Sequence, residues 1–547
     1  MKKLITIIAG FLFIIIAVLY HTMHMGGTPF FPEDLPVNYA LTVLPLDSRP
    51  PCTTFVQELG ALAGFKIVLP PKNIMDKYEQ PAQLPAIKNW LQNNLSANDG
   101  VLISTDMLTY GGLLHTRLAP LTEEQKNDTL QYLDTLKQSN PGKDFYVYSI
   151  IPRLLVSDQL LPDRWYQWHI MQWTINMDKK MQGVPYDEKR YKDMQQEIPP
   201  ELKQKYLDLY SQNALFNDQL IDLAQKDGFT GLIIGQDDTM AYGFPNRNRL
   251  AANDYFSKAT FPPTYGVTQG ADELGVMDTA AILLSKHEYR PKVFLAYGSS
   301  QVKDLLLHFV PDTLEQIALN KIKLLNGQVV DKVTDADFIL FIHCGDKVGV
   351  SYLDIAKRVQ KLMQEKPVAL VDLSENYDYR ECLLLSLVAN NTPLSQLLSY
   401  AGWNSASNSI GTALAQSAIV TLQAKLLPKD KLPSLYAQNL TFNCERFLDD
   451  WAYEQKTRYK LKDLQELNGV NVDHTAPHTE LVEKFIAREL SIYKSILLYG
   501  NLRRFPFYQD DKQAYYLKDF KYQVTLPWER IFEIALKIEP TFVKKSI

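Results

Sequence analysis

Two adjacent carboxylates stand at the end of an apolar run that has the composition of a buried strand. The run, GLIIGQ, covers 231–236 and is followed by Asp237 and Asp238. Because ionised groups are costly to bury, this ending is either a solvated turn or a pair of acids placed for chemistry. Paired carboxylates act as proton donor and as base or nucleophile in glycoside hydrolysis. We therefore predict Asp237 and Asp238 as catalytic residues.

Polar residues that could take part in chemistry follow several other apolar runs at their C-terminal ends. Asp47 and Arg49 follow LTVLPL, Asp106 follows VLIS, and Arg153 follows FYVYSII. In parallel α/β folds these ends of the strands open onto the functional face. The pattern predicts that separate segments bring carboxylates and arginines to one cavity, although turns and helix N-caps also favour aspartate.

The predicted substrate-binding residues come from these strand ends and from two glycine-containing loops, YGGLLHTR and YAGWNSASNSIGTAL. We predict substrate contacts from Asp47, Arg49, Asp106, Tyr110, Arg117, Gln236, Trp403 and Asn404. The mixture of aromatic, amide and charged side chains is typical of a small-molecule cleft.

We predict a role for each member of the catalytic pair and for several of the substrate-binding residues. Asp238 is the general acid, and Asp237 orients an acetamido group or a water molecule. Asp47 and Asp106 bind hydroxyl groups, and Trp403 is a stacking platform for a sugar ring.

Arg49 and Arg117 hold an anionic or polar substituent, because guanidinium groups suit carboxylates and phosphates. The alternatives are that each arginine pairs with a neighbouring aspartate, and that Trp403 belongs to the core. Asp272 and Glu273 in GADELG are a second candidate source of acid and base, with helix capping as the alternative.

A metal-dependent hydrolase and a non-catalytic glycan or peptide receptor are the alternative functions. The nine histidines include no H-E-x-x-H motif, which disfavours zinc. An all-oxygen calcium or magnesium site built from Asp47, Asp106 and Asp237 stays open. The sequence has no G-x-S-x-G, Walker or Rossmann motif, so we predict no cofactor and no metal.

Apolar runs alternate with helix-length amphipathic segments, which indicates β/α units around parallel strands. Eight such runs favour a (β/α)8 barrel, and the alternative is an open doubly wound parallel sheet. The predicted strands are 41–46, 66–69, 101–104, 145–151, 231–236, 293–297, 338–343 and 368–373.

The chain of 547 residues exceeds one ordinary domain. We predict an α/β catalytic-type domain over 39–419 with an insertion at 152–230, and a mainly helical C-terminal domain over 420–547. CERFLDDWAYEQ and LPWERIFEIALKI are the segments expected to be helical there. The net charge of −5, with both signs interspersed, gives no field that would favour nucleic acid.

The N-terminus has the layout of a secretory signal, with Lys2 and Lys3 before an apolar run from Leu4 to Tyr20. The run is about the shortest that can cross a bilayer as a helix. We predict an uncleaved signal anchor over 1–22 that holds the body outside the cytoplasm, a tether over 23–38, and a cleaved signal peptide as the alternative. The four widely spaced cysteines do not indicate a disulfide framework.

Six ordered motifs carry a resemblance to a known family. They are LPLDSRPPC, STDMLTYGGLLHTR, GQDDTMAYG, GADELG, YAGWNSASNSIGTAL and LPWERIFE. In this order they resemble the bacterial domain-of-unknown-function family 4127, over about 40–535. The resemblance implies no established activity, so the expectation of a hydrolase acting on a carbohydrate-like substrate rests on the residues alone.

Overall fold

A computed structural model describes residues 26–547 except 158–159, 162, 259, 346–350, 377 and 470. The predicted signal anchor and the first three residues of the predicted tether lie outside the described residues. Within the described part, every helix is too short or too polar to cross a bilayer.

The strands, in chain order, are β1 (Thr28–Phe30), β2 (Tyr39–Leu44), β3 (Phe65–Val68), β4 (Gly100–Ser104), β5 (Asp144–Ile151), β6 (Gly231–Gln236), β7 (Tyr265–Val267), β8 (Lys292–Tyr297), β9 (Gln328–Val329), β10 (Phe338–Cys344), β11 (Val368–Leu373), β12 (Ser399–Ala401), β13 (Tyr508–Gln509), β14 (Gln513–Thr525) and β15 (Ala535–Ser546). Every residue of β4, β6, β10 and β11 is buried, as expected for strands covered on both faces.

The helices, in chain order, are α1 (Thr54–Leu62), α2 (Leu84–Leu95), α3 (Thr105–Tyr110), α4 (Glu123–Gln138), α5 (Arg164–Met181), α6 (Glu188–Glu197), α7 (Pro200–Asp227), α8 (Phe244–Ser257), α9 (Leu274–Lys286), α10 (Leu314–Leu324), α11 (Tyr352–Met363), α12 (Leu384–Ala389), α13 (Ala406–Leu426), α14 (Leu432–Arg446), α15 (Arg458–Leu467) and α16 (Thr479–Leu497). Phe447–Thr457 and Leu498–Leu502 are π-helical. A capping box formed by Thr122 and Gln125 begins α4, which satisfies free N–H groups of its first turn.

Two parallel sheets form the body of the fold. The first has the order β3-β2-β4-β5-β6-β7, and the second has the order β9-β8-β10-β11-β12. In each sheet the second strand along the chain is an edge strand and pairs with one side of the first strand. The third and later strands follow in chain order on the other side of the first strand. Both orders are doubly wound, and such sheets bind ligands outside the carboxyl ends of their strands.

All eight predicted strands are present, with five in the first sheet and three in the second. The prediction of an α/β protein with parallel strands is confirmed. No pairing among the described residues joins the eight strands into one closed barrel. The arrangement is consistent with the alternative of open parallel sheets.

The two sheets share one hydrophobic core. Leu41 of the first sheet, Ile342 of the second and Ile410 of α13 are fully buried in the same apolar cluster. Helix α13 packs against α9, β11 and β12. Helix α13 runs across the predicted domain boundary between 419 and 420.

The C-terminal region differs from the expectation of helices to the end of the chain. Its helices end at Leu502, and β13, β14 and β15 then form an antiparallel sheet with β1. The segment LPWERIFEIALKI, expected to be helical, is a turn followed by the start of β15. Thr28–Phe30 pairs with Phe542–Lys544, so part of the predicted tether is a strand of this sheet.

Candidate functional site

A polar cavity of about 370 Å³ opens at the carboxyl edge of the first sheet. Its wall includes residues that follow β5, β6 and β7, the loop after β12, and the turn before β15. Segments far apart in sequence therefore meet at one hollow, as the strand-end pattern predicts. Of the predicted residues, those in the wall are Arg49, Arg117, Gln236, Asp237, Asp238 and Asn404.

Asp237 is held as a carboxylate by Arg117. Nε of Arg117 donates to Oδ2 of Asp237 at 3.0 Å, and Nη2 donates to the same oxygen. Oδ1 accepts the backbone N–H of Asp238 at 2.8 Å. Burial opposes the ionisation of Asp237, but the charges of Arg117 and Arg153 outweigh it and lower its pKa. The alternative that Arg117 pairs with a neighbouring aspartate is therefore the observed one.

The environment of Asp238, the next residue, raises the pKa of its carboxyl group instead of lowering it. Burial, and then the negative charge of Asp237, raise the pKa of Asp238 to about 7. Its side chain is partly buried, and the described residues offer its carboxyl group no hydrogen bond. Two neighbouring carboxyl groups are thus driven apart in pKa, which is how a proton donor and an ionised partner coexist in one site.

A third carboxyl group, that of Asp272, reaches the cavity from the loop before α9. Nη2 of Arg49 lies 2.6 Å from Oδ1 of Asp272 and 2.6 Å from Oδ2 of Asp47. Burial raises the pKa of Asp272 to about 6, although Arg49 opposes the rise. Glu273, the other candidate in GADELG, pairs with the fully buried Lys321 at 2.5 Å and does not reach the cavity wall.

Asp47 lies behind the cavity wall, where it anchors Arg49, and does not contact the hollow. The structure therefore does not bring Asp47 together with the other predicted substrate ligands at the cavity. Asp47, Cys52 and Asp272 form the one group in the described part of the chain with three ligand atoms close enough for a metal. The guanidinium of Arg49 already lies between the two carboxylates, and burial raises the pKa of the Cys52 thiol. This group does not fit a metal ion, and Asp47, Asp106 and Asp237 are not grouped as the open alternative required.

Asp106 and Tyr110, predicted as substrate ligands, do not line the cavity. Helix α3 begins at Thr105, directly after β4, and is capped by Ser104. Asp106 therefore lies in the first helical turn, where it accepts the backbone N–H of Ile150 at 3.0 Å. Burial raises the pKa of Asp106 to about 8, so it is largely uncharged at neutral pH.

Trp403 is a core residue and does not line the cavity, which matches the alternative given for it and not the stacking platform. It is 7% exposed, its ring meets the edge of Phe55 at 5.8 Å, and its indole N–H donates to Oγ1 of Thr412 at 3.3 Å. Exposed aromatic rings in the cavity wall come instead from Phe309 and Phe532, which are 49% and 41% exposed.

Three of the seven non-glycine residues with a positive φ angle in the described part of the chain lie in the cavity wall. Tyr78, Phe309 and Asn404 all line it and have positive φ angles of 53°, 65° and 49°. This conformation is rare for aromatic residues and is typical of functional sites when it occurs. The strand-end pattern did not identify Tyr78, Phe309, Phe532 or Arg530, because none of them directly follows an apolar strand of a parallel sheet. Phe532 and Arg530 do belong to the motif LPWERIFE.

The model of the family described as "Protein of unknown function (DUF4127)" matches residues 41–537. The chain belongs to this family. A comparison with curated proteins gives no significant match.

The six motifs that carry the likeness to DUF4127 meet at the cavity. Each motif places at least one residue in its wall, in order Arg49, Arg117, Asp237 and Asp238, Asp272, Asn404, and Arg530. The family motifs are thus far apart in the sequence and close together in the fold. This convergence makes the cavity the candidate functional site of this DUF4127 protein.

Proposed function

We propose that the protein is a hydrolase that acts on a carbohydrate-like substrate, with Asp238 as the general acid. The observation that carries the proposal is the contrast between Asp238, whose pKa is raised to about 7, and Asp237, which Arg117 keeps ionised. A general acid works best when its pKa lies near the working pH. In this proposal the fold consists of two open doubly wound sheets, and the site lies at the carboxyl edge of the first sheet.

Asp272 is the partner in this proposal. It lies in the same wall as Asp238 on a separate segment, and its pKa of about 6 leaves it largely ionised at neutral pH. Asp238 would give its proton to the leaving oxygen, and the Asp272 carboxylate would act as base or nucleophile. Asp237, tied to Arg117, would orient the substrate or water.

The wall composition supports a sugar substrate. The rings of Phe309 and Phe532 can pack on the apolar face of a pyranose, and Asn404 and Asn408 can bind its hydroxyl groups. Both amide groups lie near Oδ2 of Asp272, at 3.5 Å. The predicted location outside the cytoplasm and attachment to a membrane are part of the proposal and rest on the N-terminal sequence.

A panel of aryl glycosides, assayed with and without a chelator, tests the proposal. We expect turnover of at least one glycoside that the chelator does not remove, and loss of about 10²–10⁴ in kcat in Asp238→Asn. Asp193→Asn is the matched control, because Asp193 is exposed on α6. Binding of a glycan without turnover by the wild type would instead favour the receptor, and loss of turnover with chelator would favour a metal-dependent hydrolase.

A further inference from the structure

Arg153 differs from the other arginines inside the cavity, because no carboxylate of the described residues forms an ion pair with it. Its Nε donates to the backbone carbonyl of Leu155, and its two Nη groups have no acceptor among the described residues. Three arginines of the wall are paired: Arg49 with Asp47 and Asp272, Arg117 with Asp237, and Arg530 with Glu533.

The charge of Arg153 is costly where it lies. Burial, and then the positive charge of Arg117, lower the pKa of Arg153 to about 10, so it stays protonated at neutral pH without an ion-pair partner among the described residues. Arg153 is partly buried, and a cation that is partly removed from water and has free N–H donors is stabilised by an anion that accepts them. The cavity wall therefore contains a site for one negative charge.

Gln236 adds a second unpartnered group beside Arg153. It is 1% exposed and belongs to the cavity wall, and neither polar atom of its amide has a hydrogen-bond partner in the described part of the chain. Gln236 pairs with Ile151 across β5 and β6, so Arg153 follows two residues beyond its strand partner. Leaving a buried amide without partners is destabilising, and a polar ligand that binds it would remove this penalty.

We infer that Arg153, assisted by Gln236, binds a carboxylate of the substrate, so that the cavity takes an acidic sugar. The guanidinium can donate two parallel hydrogen bonds to a carboxylate. One unpaired guanidinium matches one negative charge, and the nearby Asp237 and Asp238 disfavour a phosphate dianion. The sugar part of this inference rests on the proposed function, and the carboxylate part rests on Arg153.

Arg164 extends the same preference to the mouth of the cavity. It lines the entrance at the start of α5, it is exposed, and it forms no ion pair with the described residues. An exposed positive charge at the rim attracts an anion over about a Debye length and therefore raises the association rate. Arg164 at the mouth and Arg153 inside the cavity would therefore both favour an acidic ligand.

Isothermal titration calorimetry of the full chain with glucuronate, glucuronamide and glucose 6-phosphate tests the inference. We expect glucuronate to bind about 10- to 100-fold more tightly than the uncharged glucuronamide, and more tightly than the phosphate ester. Arg153→Gln should remove the preference for the acid, and Arg153→Lys should retain part of it. Arg290→Gln is the control, because Arg290 is an arginine outside the cavity wall.

Three results would overturn the inference: equal affinity of the wild type for glucuronate and glucuronamide, an unchanged preference in a folded Arg153→Gln protein, or tighter binding of the phosphate. The wild-type comparison decides the matter even where a variant fails to fold. Binding that depends on Arg153, together with no turnover of any glycoside, would contradict the proposed hydrolase and leave this inference standing.

Discussion

Replacing Asp238 with asparagine should stabilise the protein at high pH while removing its activity. The pKa of Asp238 is raised from about 4 in an unfolded chain to about 7 in the fold. Each pKa unit corresponds to about 1.4 kcal/mol. The raised pKa therefore lowers the free energy of unfolding by about 4 kcal/mol at pH 8 and by about 1.5 kcal/mol at pH 5.

The sign follows from the direction of the shift. The unfolded chain releases the proton near pH 4 and the folded chain releases it near pH 7, so the wild type loses stability as the pH rises between these values. Solvent in the cavity reduces the effect, because Asp238 is only partly buried. We expect the stabilisation of Asp238→Asn over wild type to be about 2 kcal/mol greater at pH 8 than at pH 5.

Urea unfolding at the two pH values, followed by circular dichroism, measures this difference. The comparison requires the m-value, which is the slope of the free energy of unfolding against urea concentration, to be the same in both proteins. Asp193→Asn, on the exposed face of α6, should show no difference between the two pH values. The reasoning would be refuted by an Asp238→Asn protein whose advantage is equal at pH 5 and pH 8, or that is less stable than wild type at pH 8.

Four other substitutions separate the residues of the cavity from those behind it. Asp106→Asn should stabilise the protein near neutral pH, because the pKa of Asp106 is raised to about 8, and should leave kcat unchanged; urea unfolding and kinetics check both parts. Arg117→Gln leaves the buried carboxylate beside it unpaired and should cost about 3–5 kcal/mol in urea unfolding. Trp403→Phe loses one buried hydrogen bond and should lower stability by about 1 kcal/mol without changing KM. Phe309→Ala should raise KM about tenfold with little effect on the melting temperature, because its ring is exposed at the cavity.

The strands were predictable because their signal is local. A run such as 338–343, which is apolar up to His343, forms a strand wherever its partners lie. Which strands pair is decided by contacts between distant segments, so the division into two sheets could not be read from the runs. The pairing of Thr28–Phe30 with Phe542–Lys544 is the extreme case, since it joins the two ends of the described chain.

The C-terminal strand β15 shows how a local signal can be misjudged. Exposure alternates along its first residues, from Ala535 onward, in the period of a strand. The preceding LPWERIFE has apolar residues at helical spacing, and that spacing suggested one continuous helix. A turn before Ala535 separates the two patterns.

Predicted residues reach the cavity where a loop follows the strand, and do not reach it where a helix begins at once. Asp237 and Asp238 extend beyond β6 into a loop and reach the cavity. Asp106 follows β4 in the same way, but α3 begins at Thr105 and turns it back onto β5. The direction of a side chain in the first turn of a helix depends on that exact start, which a single sequence does not define.

The most direct test of Asp238 as general acid is the dependence of kcat on the leaving group. Alkyl glycosides need a proton on the departing oxygen, whereas 2,4-dinitrophenyl glycosides do not, because dinitrophenolate is a stable anion. The account predicts that Asp238→Asn loses about 10²–10⁴ in kcat on alkyl glycosides and much less on dinitrophenyl glycosides. An equal loss on both substrates, or undiminished cleavage of the alkyl glycosides, would contradict it.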